Sequence, residues 1–153
     1  MAPRPMSFSI STFNLCNLQR PGRRMFGEFA WTPAQYQRKV GWTAQQLAAH
    51  PATLMAFQEV WSGGALQDEL DSAGLQQDYR IVCHDSDEDM NVACAVHREW
   101  EIISAEWITA FPPELDWRID DTRYEIGVAI DRFSRPVLKL RLRGPDQRTL
   151  TLF

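Results

Sequence analysis

From Ser7 to Leu15 the chain alternates. Phe8, Ile10, Thr12 and Asn14 share one face, and Ser9, Ser11, Phe13 and Leu15 share the other. Period two with β-branched and aromatic residues predicts a strand. After a polar loop, Thr32-Pro33-Ala34-Gln35 predicts a helix start. Thr32 can cap, Gln35 sits three residues on as in a capping box, and Pro33 takes the first helical position, where a missing N–H costs nothing. Tyr36, Val40, Ala44, Leu47 and Ala48 recur at helical spacing. His50-Pro51 ends the run, because the residue before proline is pushed out of the helical region. Residues 53–61 form a short, nearly continuous apolar run up to Gln58-Glu59, which predicts a buried strand. Ser62-Gly63-Gly64 opens a second helix with Leu66, Leu70 and Ala73 on one face and Gly74 just past its end. Strand, helix, strand, helix predicts a parallel strand pair with a right-handed crossover.

The second half of the chain has a different rhythm. Tyr79–His84, Val92–Arg98 and Glu101–Ile108 are expected as successive strands with short connections, hence antiparallel. Pro112-Pro113 opens a stretch, 109–135, to which the pattern assigns no structure: Ile126, Ile130 and Phe133 suit a helical turn, whereas Gly127 and Val128 oppose one. Leu138, Leu140 and Leu142 alternate with Lys139, Arg141 and Arg143 in a clear strand, and 144–147 is a turn before a return strand from Thr149. The chain stops at Phe153 inside that alternation, which favours a protein cut from a longer one. The expected fold class is α/β, a mixed sheet with helices on one face. Its inner, Leu-rich face would lie open unless the remainder of the protein or a second copy covers it.

Composition narrows the class. At 153 residues the chain fits one domain, and 44% hydrophobic with 24% charged residues is a globular balance. A net charge of -4 excludes a broadly basic nucleic-acid coat, but not a phosphate substrate handled through a bound cation. No apolar run approaches the ~18–20 residues of a membrane helix, and no signal-peptide core follows Met6, so a cytoplasmic location is expected. Cys16, Cys83 and Cys94 are odd in number and lack a C-x-x-C pairing, which argues for reduced thiols rather than disulfides or a zinc site.

In a βαβ unit the ligand crevice lies at the carboxyl ends of the parallel strands. Asn14 closes the first strand, on the face of Ile10 and Thr12; Glu59 closes the second, on the face of Phe57 and Trp61. A carboxylate leaving an apolar strand must be paired, hydrogen-bonded or bound to a cation. An amide and a carboxylate on neighbouring strand ends suit a hard cation such as Mg²⁺. The alternative is Glu59 in a salt bridge with an arginine and Asn14 bonding a turn. Asp85-Ser86-Asp87-Glu88-Asp89 starts like a calcium loop, but Met90 stands where glycine is needed and Val96 where glutamate is needed, so a solvated turn is expected. His50, His84 and His97 are far apart in sequence, with His97 the best placed of them beside the acidic loop. Arg20, Arg23 and Arg24 follow the Asn14 strand, as a solvated basic loop or as contacts to substrate phosphates.

Ile10-Ser11-Thr12-Phe13-Asn14-Leu15, a helix, and then Leu54-Met55-Ala56-Phe57-Gln58-Glu59 together resemble the opening of the endonuclease/exonuclease/phosphatase superfamily, the deoxyribonuclease-I-like fold. Asn91-Val92-Ala93-Cys94-Ala95-Val96 and Phe133-Ser134-Arg135-Pro136-Val137-Leu138 resemble later segments of that family in the same order. The resemblance implies that residues 1–153 are the N-terminal portion of a single domain, half of a four-layer α-β-β-α sandwich. It implies Glu59 as a ligand of Mg²⁺ or Mn²⁺, and Asn14 beside it, at the metal and orienting groups around metal and phosphate. Gln58 belongs to the motif but faces away and is given no chemistry. The family's later N-x-H strand, aspartate-asparagine pair and final aspartate-histidine pair have no counterparts in these 153 residues. The implied activity is metal-dependent hydrolysis of a phosphoester, nucleic acid among the candidate substrates, with this chain alone inactive or nearly so. The other reading is a non-catalytic interaction or dimerisation module built on the half-fold.

Overall fold

The computed structural model describes residues 7–84, 89–115, 117–121 and 126–153. It begins with β1 (Ile10–Leu18), α1 (Pro33–Ala49), β2 (Leu54–Val60) and α2 (Gly63–Ser72). The α1 start is the capping box that the sequence predicts. Thr32 Oγ1 accepts from the Gln35 backbone at 3.3 Å, and Gln35 Oε1 accepts from the Thr32 backbone at 3.0 Å. α2 ends on a left-handed glycine, Gly74, at φ 73°. Its N–H donates to the Asp71 carbonyl and that of Leu75 donates to the Leu70 carbonyl, so the last turn's acceptors are satisfied.

β1 and β2 pair in parallel, as expected, and head a four-stranded sheet of order β1-β2-β4-β3, where β3 is Tyr79–Cys83 and β4 is Asn91–His97. Both helices cover one face of this sheet. There Leu15, Leu18, Met55, Phe57, Leu66 and Leu70 are almost wholly buried, each removal from water contributing roughly 1.5–3 kcal/mol.

The next strand departs from the expected meander. β5 (Glu101–Ala110) does not extend the first sheet beside β4. It pairs instead with β8 (Arg132–Arg143) in a second, antiparallel sheet of order β5-β8-β9, with β9 at Thr149–Leu152. A tight corner turns the chain between the sheets: Arg98 N–H donates to the Asp78 carbonyl and Trp100 N–H to that of His97. Trp100 drops into the gap between the sheets, 6% exposed, with the Phe8 ring 4.7 Å away. Within 109–135, β6 (Trp117–Asp121) and β7 (Ile126–Ile130) form a two-stranded antiparallel pair, so Ile126 and Ile130 sit on a strand and not on a helical turn. Asp85, Ser86, Asp87 and Glu88 of the acidic loop lie outside the described residues.

The second sheet also changes the expectation about the Leu-rich face. Leu138, Leu140 and Leu142 pack on Leu54, Cys94 and Val96 of the first sheet, so this chain covers much of that face itself. The opposite face of β8 is ionic, with Lys139 on Glu106 at 3.2 Å and Arg143 on Glu101 at 2.9 Å. Coverage is incomplete toward β9. A cavity of about 320 Å³ opens there between the sheets, walled by Leu54, Ala56, Val137 and Leu152, with Gln58 and Arg135 as polar lining. The layers are thus helices, first sheet and second sheet, as in part of a four-layer sandwich. Among the described residues, no helix is long and apolar enough to cross a membrane.

Candidate functional site

Strand alternation alone would separate the two candidate residues. The register runs Ile10↔Leu54, Thr12↔Ala56 and Asn14↔Gln58, so Asn14 shares a face with Gln58 and the next residue, Glu59, belongs to the opposite face. The structure overrides this. Asn14 Nδ2 donates to Glu59 Oε1 at 2.9 Å. Glu59 has φ 60°, in the left-handed region that side chains rarely enter. Against β4 the register passes from Phe57↔Ala93 to Val60↔Asn91, so β2 carries one extra residue here. Such a bulge re-aims a side chain to the other face. Gln58 keeps its regular direction, and its amide nitrogen bonds the Thr12 hydroxyl at 2.9 Å.

β1 bulges at the same level. Its register jumps from Asn14↔Gln58 to Leu18↔Val60, with Cys16 at φ 48° and Asn17 at φ 58°. Three non-glycine residues in the left-handed region within one site cost about 1–3 kcal/mol each, and strain of this kind concentrates where function requires a geometry. The distortion brings the Asn17 N–H to Glu59 Oε2 at 3.1 Å, so each carboxylate oxygen accepts one bond from β1. Asn17 is held in turn by two indoles. Trp31 Nε1 donates to its carbonyl at 2.8 Å, and Trp61 Nε1 to its side-chain oxygen at 3.2 Å.

The Asn14 oxygen accepts the Cys16 N–H at 2.8 Å, a side-chain turn over two residues, which realises the turn-bonding part of the alternative reading. The other part is not realised, since Glu59 forms no ion pair with an arginine among the described residues. A carboxylate has about four acceptor positions, and two remain on a half-buried Glu59. Among the described residues no group of three or more His, Cys, Asp or Glu side chains is gathered. A single oriented carboxylate fits Mg²⁺, which takes one or two carboxylates and keeps several waters, and does not fit zinc. As placed, Asn14 turns its N–H groups to the carboxylate, which suits an orienting role; its oxygen has one lone pair left for direct ligation.

The remaining candidates sort clearly. Arg20 is committed to α2, with Nε on Asp68 Oδ2 at 3.0 Å and a terminal nitrogen on Asp68 Oδ1 at 2.8 Å and on the Gly64 carbonyl at 3.0 Å. The Tyr36 hydroxyl joins this carboxylate at 2.7 Å. Burial pushes the Asp68 carboxyl up, but the bonds from Arg20 and Tyr36 together hold it below its ordinary value. Arg20 therefore anchors the loop to α2. Arg24 pairs with Glu28 at 2.9 Å on the surface, and Arg23 is exposed.

The structure sets His97 far from the site: its backbone N–H bonds the Thr53 carbonyl before the start of β2, roughly 20 Å of strand from Glu59 at ~3.3 Å per residue. His84 lies at the Glu59 end instead, because β3 runs parallel to β2 through their shared neighbour β4. Its ring packs edge-on against Trp107 at 5.3 Å. None of the three cysteines forms a disulfide, and burial pushes the Cys94 thiol up to about 12, an inert thiol. Sequence reasoning missed Asn17, Trp31 and Trp61. The available signal was a second asparagine just past the strand, since Asn tolerates left-handed backbone better than most residues.

Among solved structures the fold recurs. An endonuclease/exonuclease/phosphatase family protein from Bacteroides thetaiotaomicron superposes with a TM-score of 0.59 at 12% identity, over 97% of this chain and 50% of that one. A D. rerio TDP2 humanized by 14 mutations gives 0.57 at 14% identity, over 94% of this chain and 44% of that one. A mannosyl-6-phosphatase from Bacteroides thetaiotaomicron gives 0.53 at 14% identity, over 95% of this chain and 49% of that one. No family model matches the sequence, and no curated protein sequence matches it. The chain has the fold of the endonuclease/exonuclease/phosphatase structures and spans about half their length.

Proposed function

We propose that this chain is the N-terminal portion of a metal-dependent phosphoesterase of the nuclease/phosphatase type. The single observation that carries the reading is the Asn14–Glu59 hydrogen bond at 2.9 Å, made at the carboxyl ends of two parallel strands against the strand alternation. The fold supports it, since the similar structures include a mannosyl-6-phosphatase. Fold alone does not assign a reaction, so the weight rests on the site.

In this reading Glu59 holds Mg²⁺ or Mn²⁺ through its free acceptor positions. Asn14 keeps the carboxylate turned outward and orients groups around metal and phosphate. The cation, when bound, supplies charge stabilisation at phosphate oxygens and an activated water. The substrate is a phosphoester, nucleic acid among the candidates. Acid-base residues would come from beyond these 153 residues, which leaves the isolated chain inactive or nearly so. A cytoplasmic setting agrees with three cysteines that form no disulfide.

The test is hydrolysis of a generic phosphodiester with Mg²⁺ by the longest form that the coding frame supplies. Glu59→Ala should lower turnover by at least about 100-fold, and equal rates would remove Glu59 from the mechanism. A second reading, a non-catalytic interaction or dimerisation module, draws on the 320 Å³ apolar cavity left between the sheets, which the rest of the protein or a second copy could fill. A coding frame that stops after Phe153 would favour it.

A further inference from the structure

We propose that Asn17 is the positioning residue for Glu59, and that Trp31 and Trp61 lock it in that task. The inference rests on the reading of Glu59 as a cation ligand and adds the device that aims it. A carboxylate held at one oxygen can still swing about that bond. Glu59 is held at both, by the Asn14 amide at 2.9 Å and the Asn17 backbone N–H at 3.1 Å. Two fixed points set the plane of the group and leave one acceptor position free on each oxygen.

The Asn17 N–H reaches Glu59 only because Cys16 and Asn17 are consecutive left-handed residues, φ 48° and 58°. A local arrangement this costly persists only when its surroundings over-determine it. The surroundings here are two indole N–H groups, one on the Asn17 carbonyl at 2.8 Å and one on its side-chain oxygen at 3.2 Å. With its N–H on Glu59, the backbone N–H, the carbonyl and the side-chain oxygen of Asn17 are all engaged. The tryptophans are anchored as well. Trp61 is 7% exposed and its backbone N–H bonds the Leu18 carbonyl at 2.9 Å, while the Lys39 ammonium lies over the Trp31 ring at 5.7 Å.

The same arrangement accounts for two large apolar residues on the surface. Phe26 and Phe29 are 51% and 46% exposed, and each packs edge-on against one of these indoles, at 5.2 Å and 5.3 Å. They belong to one small turn in which Phe29 N–H donates to the Phe26 carbonyl. Placed there, the phenyl rings brace the two indoles from outside. Asn17 need touch neither metal nor substrate; it acts through the carboxylate.

The experiment measures Mn²⁺ affinity by electron paramagnetic resonance and melting temperature on the 153-residue chain and its variants. It also measures hydrogen exchange at the Asn17 amide. Asn17→Ala should weaken Mn²⁺ binding by about 10- to 100-fold, the usual effect of losing a group that orients a metal ligand. Asn17→Gly should recover part of that loss, because glycine takes the left-handed backbone without strain and keeps the N–H. Trp61→Phe, which removes only one indole N–H, should weaken binding less and in the same direction. A purely structural Asn17 would lower the melting temperature while leaving affinity within about twofold of wild type, and that result overturns the proposal. Should wild type bind Mn²⁺ no better than Glu59→Gln, the ligand reading fails by itself. The positioning claim is then decided by the Asn17 amide. Its exchange must accelerate at least about tenfold in Glu59→Ala, and unchanged exchange overturns it.

Discussion

Asn14 and Glu59 are hydrogen-bonded at 2.9 Å although the strand register pairs Asn14 with Gln58. One extra residue in β2 resolves the conflict, and it requires Glu59 itself to adopt φ 60°. The Glu59 carboxylate therefore occupies a backbone position that glycine would fill at lower cost. Glu59→Gly should be more stable than Glu59→Ala by about 1 kcal/mol, the strain an alanine retains at positive φ. Urea denaturation of the two variants checks this. Equal stability would mean that the backbone relaxes out of the left-handed region once the carboxylate is gone.

Glu69 gives a pH dependence. It is 0% exposed on α2, and neither carboxylate oxygen has a hydrogen-bond partner of good geometry among the described residues. Burial pushes its carboxyl up to about 8, opposed by the charge of Lys39 and, less, by the Thr43 hydroxyl, both on α1. Below pH ~4.5 both folded and unfolded chains hold the proton. Between about 4.5 and 8 the unfolded chain releases it while the folded chain keeps it. Stability should then fall as pH rises through that window, by on the order of 3–5 kcal/mol from this group, and level off above it. Glu69→Gln should flatten the slope and be the more stable protein at pH 8. Denaturation at pH 5 and pH 8 reads both effects, and an unchanged slope in the variant would relocate the titrating group.

The second sheet makes its own prediction. Leu142 is 0% exposed and belongs to the cluster formed with Leu54, Cys94 and Val96 of the first sheet. Leu142→Ala should cost about 2–5 kcal/mol through lost burial and the cavity left behind. A cost below about 1 kcal/mol would mean that the two sheets are not packed together in this chain.

Thr32 tests the helix that supports the site from behind. Its side chain caps α1 through the reciprocal pair with Gln35. Thr32→Ala should cost about 1 kcal/mol. The melting temperature checks it, and Thr32→Ser should restore most of the loss.

Local signals carried much of the architecture. The capping box at Thr32, the Gly74 helix end and the parallel β1–β2 pair follow from residue type and spacing, which act over a few positions. The passage of β5 into a second sheet was not legible, because alternation along Glu101–Ala110 is the same whichever sheet receives the strand. The burial of Leu138, Leu140 and Leu142 within the chain was missed for the same reason. In the site, the strand ends located Asn14 and Glu59. The bulges that bring them together left little local trace, since neither strand carries a glycine where its backbone turns left-handed and Asn17 alone favours that region. Arg20 illustrates the opposite case: three arginines in a loop suggest a solvated basic loop or phosphate contacts, yet one of them anchors the loop to Asp68. Charge patterns show where cations stand in sequence and not what they are spent on.

The proposed function stands or falls on whether Glu59 presents its carboxylate to a divalent cation. A crystal of the longest available form, soaked in Mn²⁺ and measured at the manganese absorption edge, tests it directly. An anomalous peak is expected about 2 Å from a Glu59 carboxylate oxygen, with Asn14 still bonded to that side chain. A peak held by other residues, with Glu59 left bare, would contradict it.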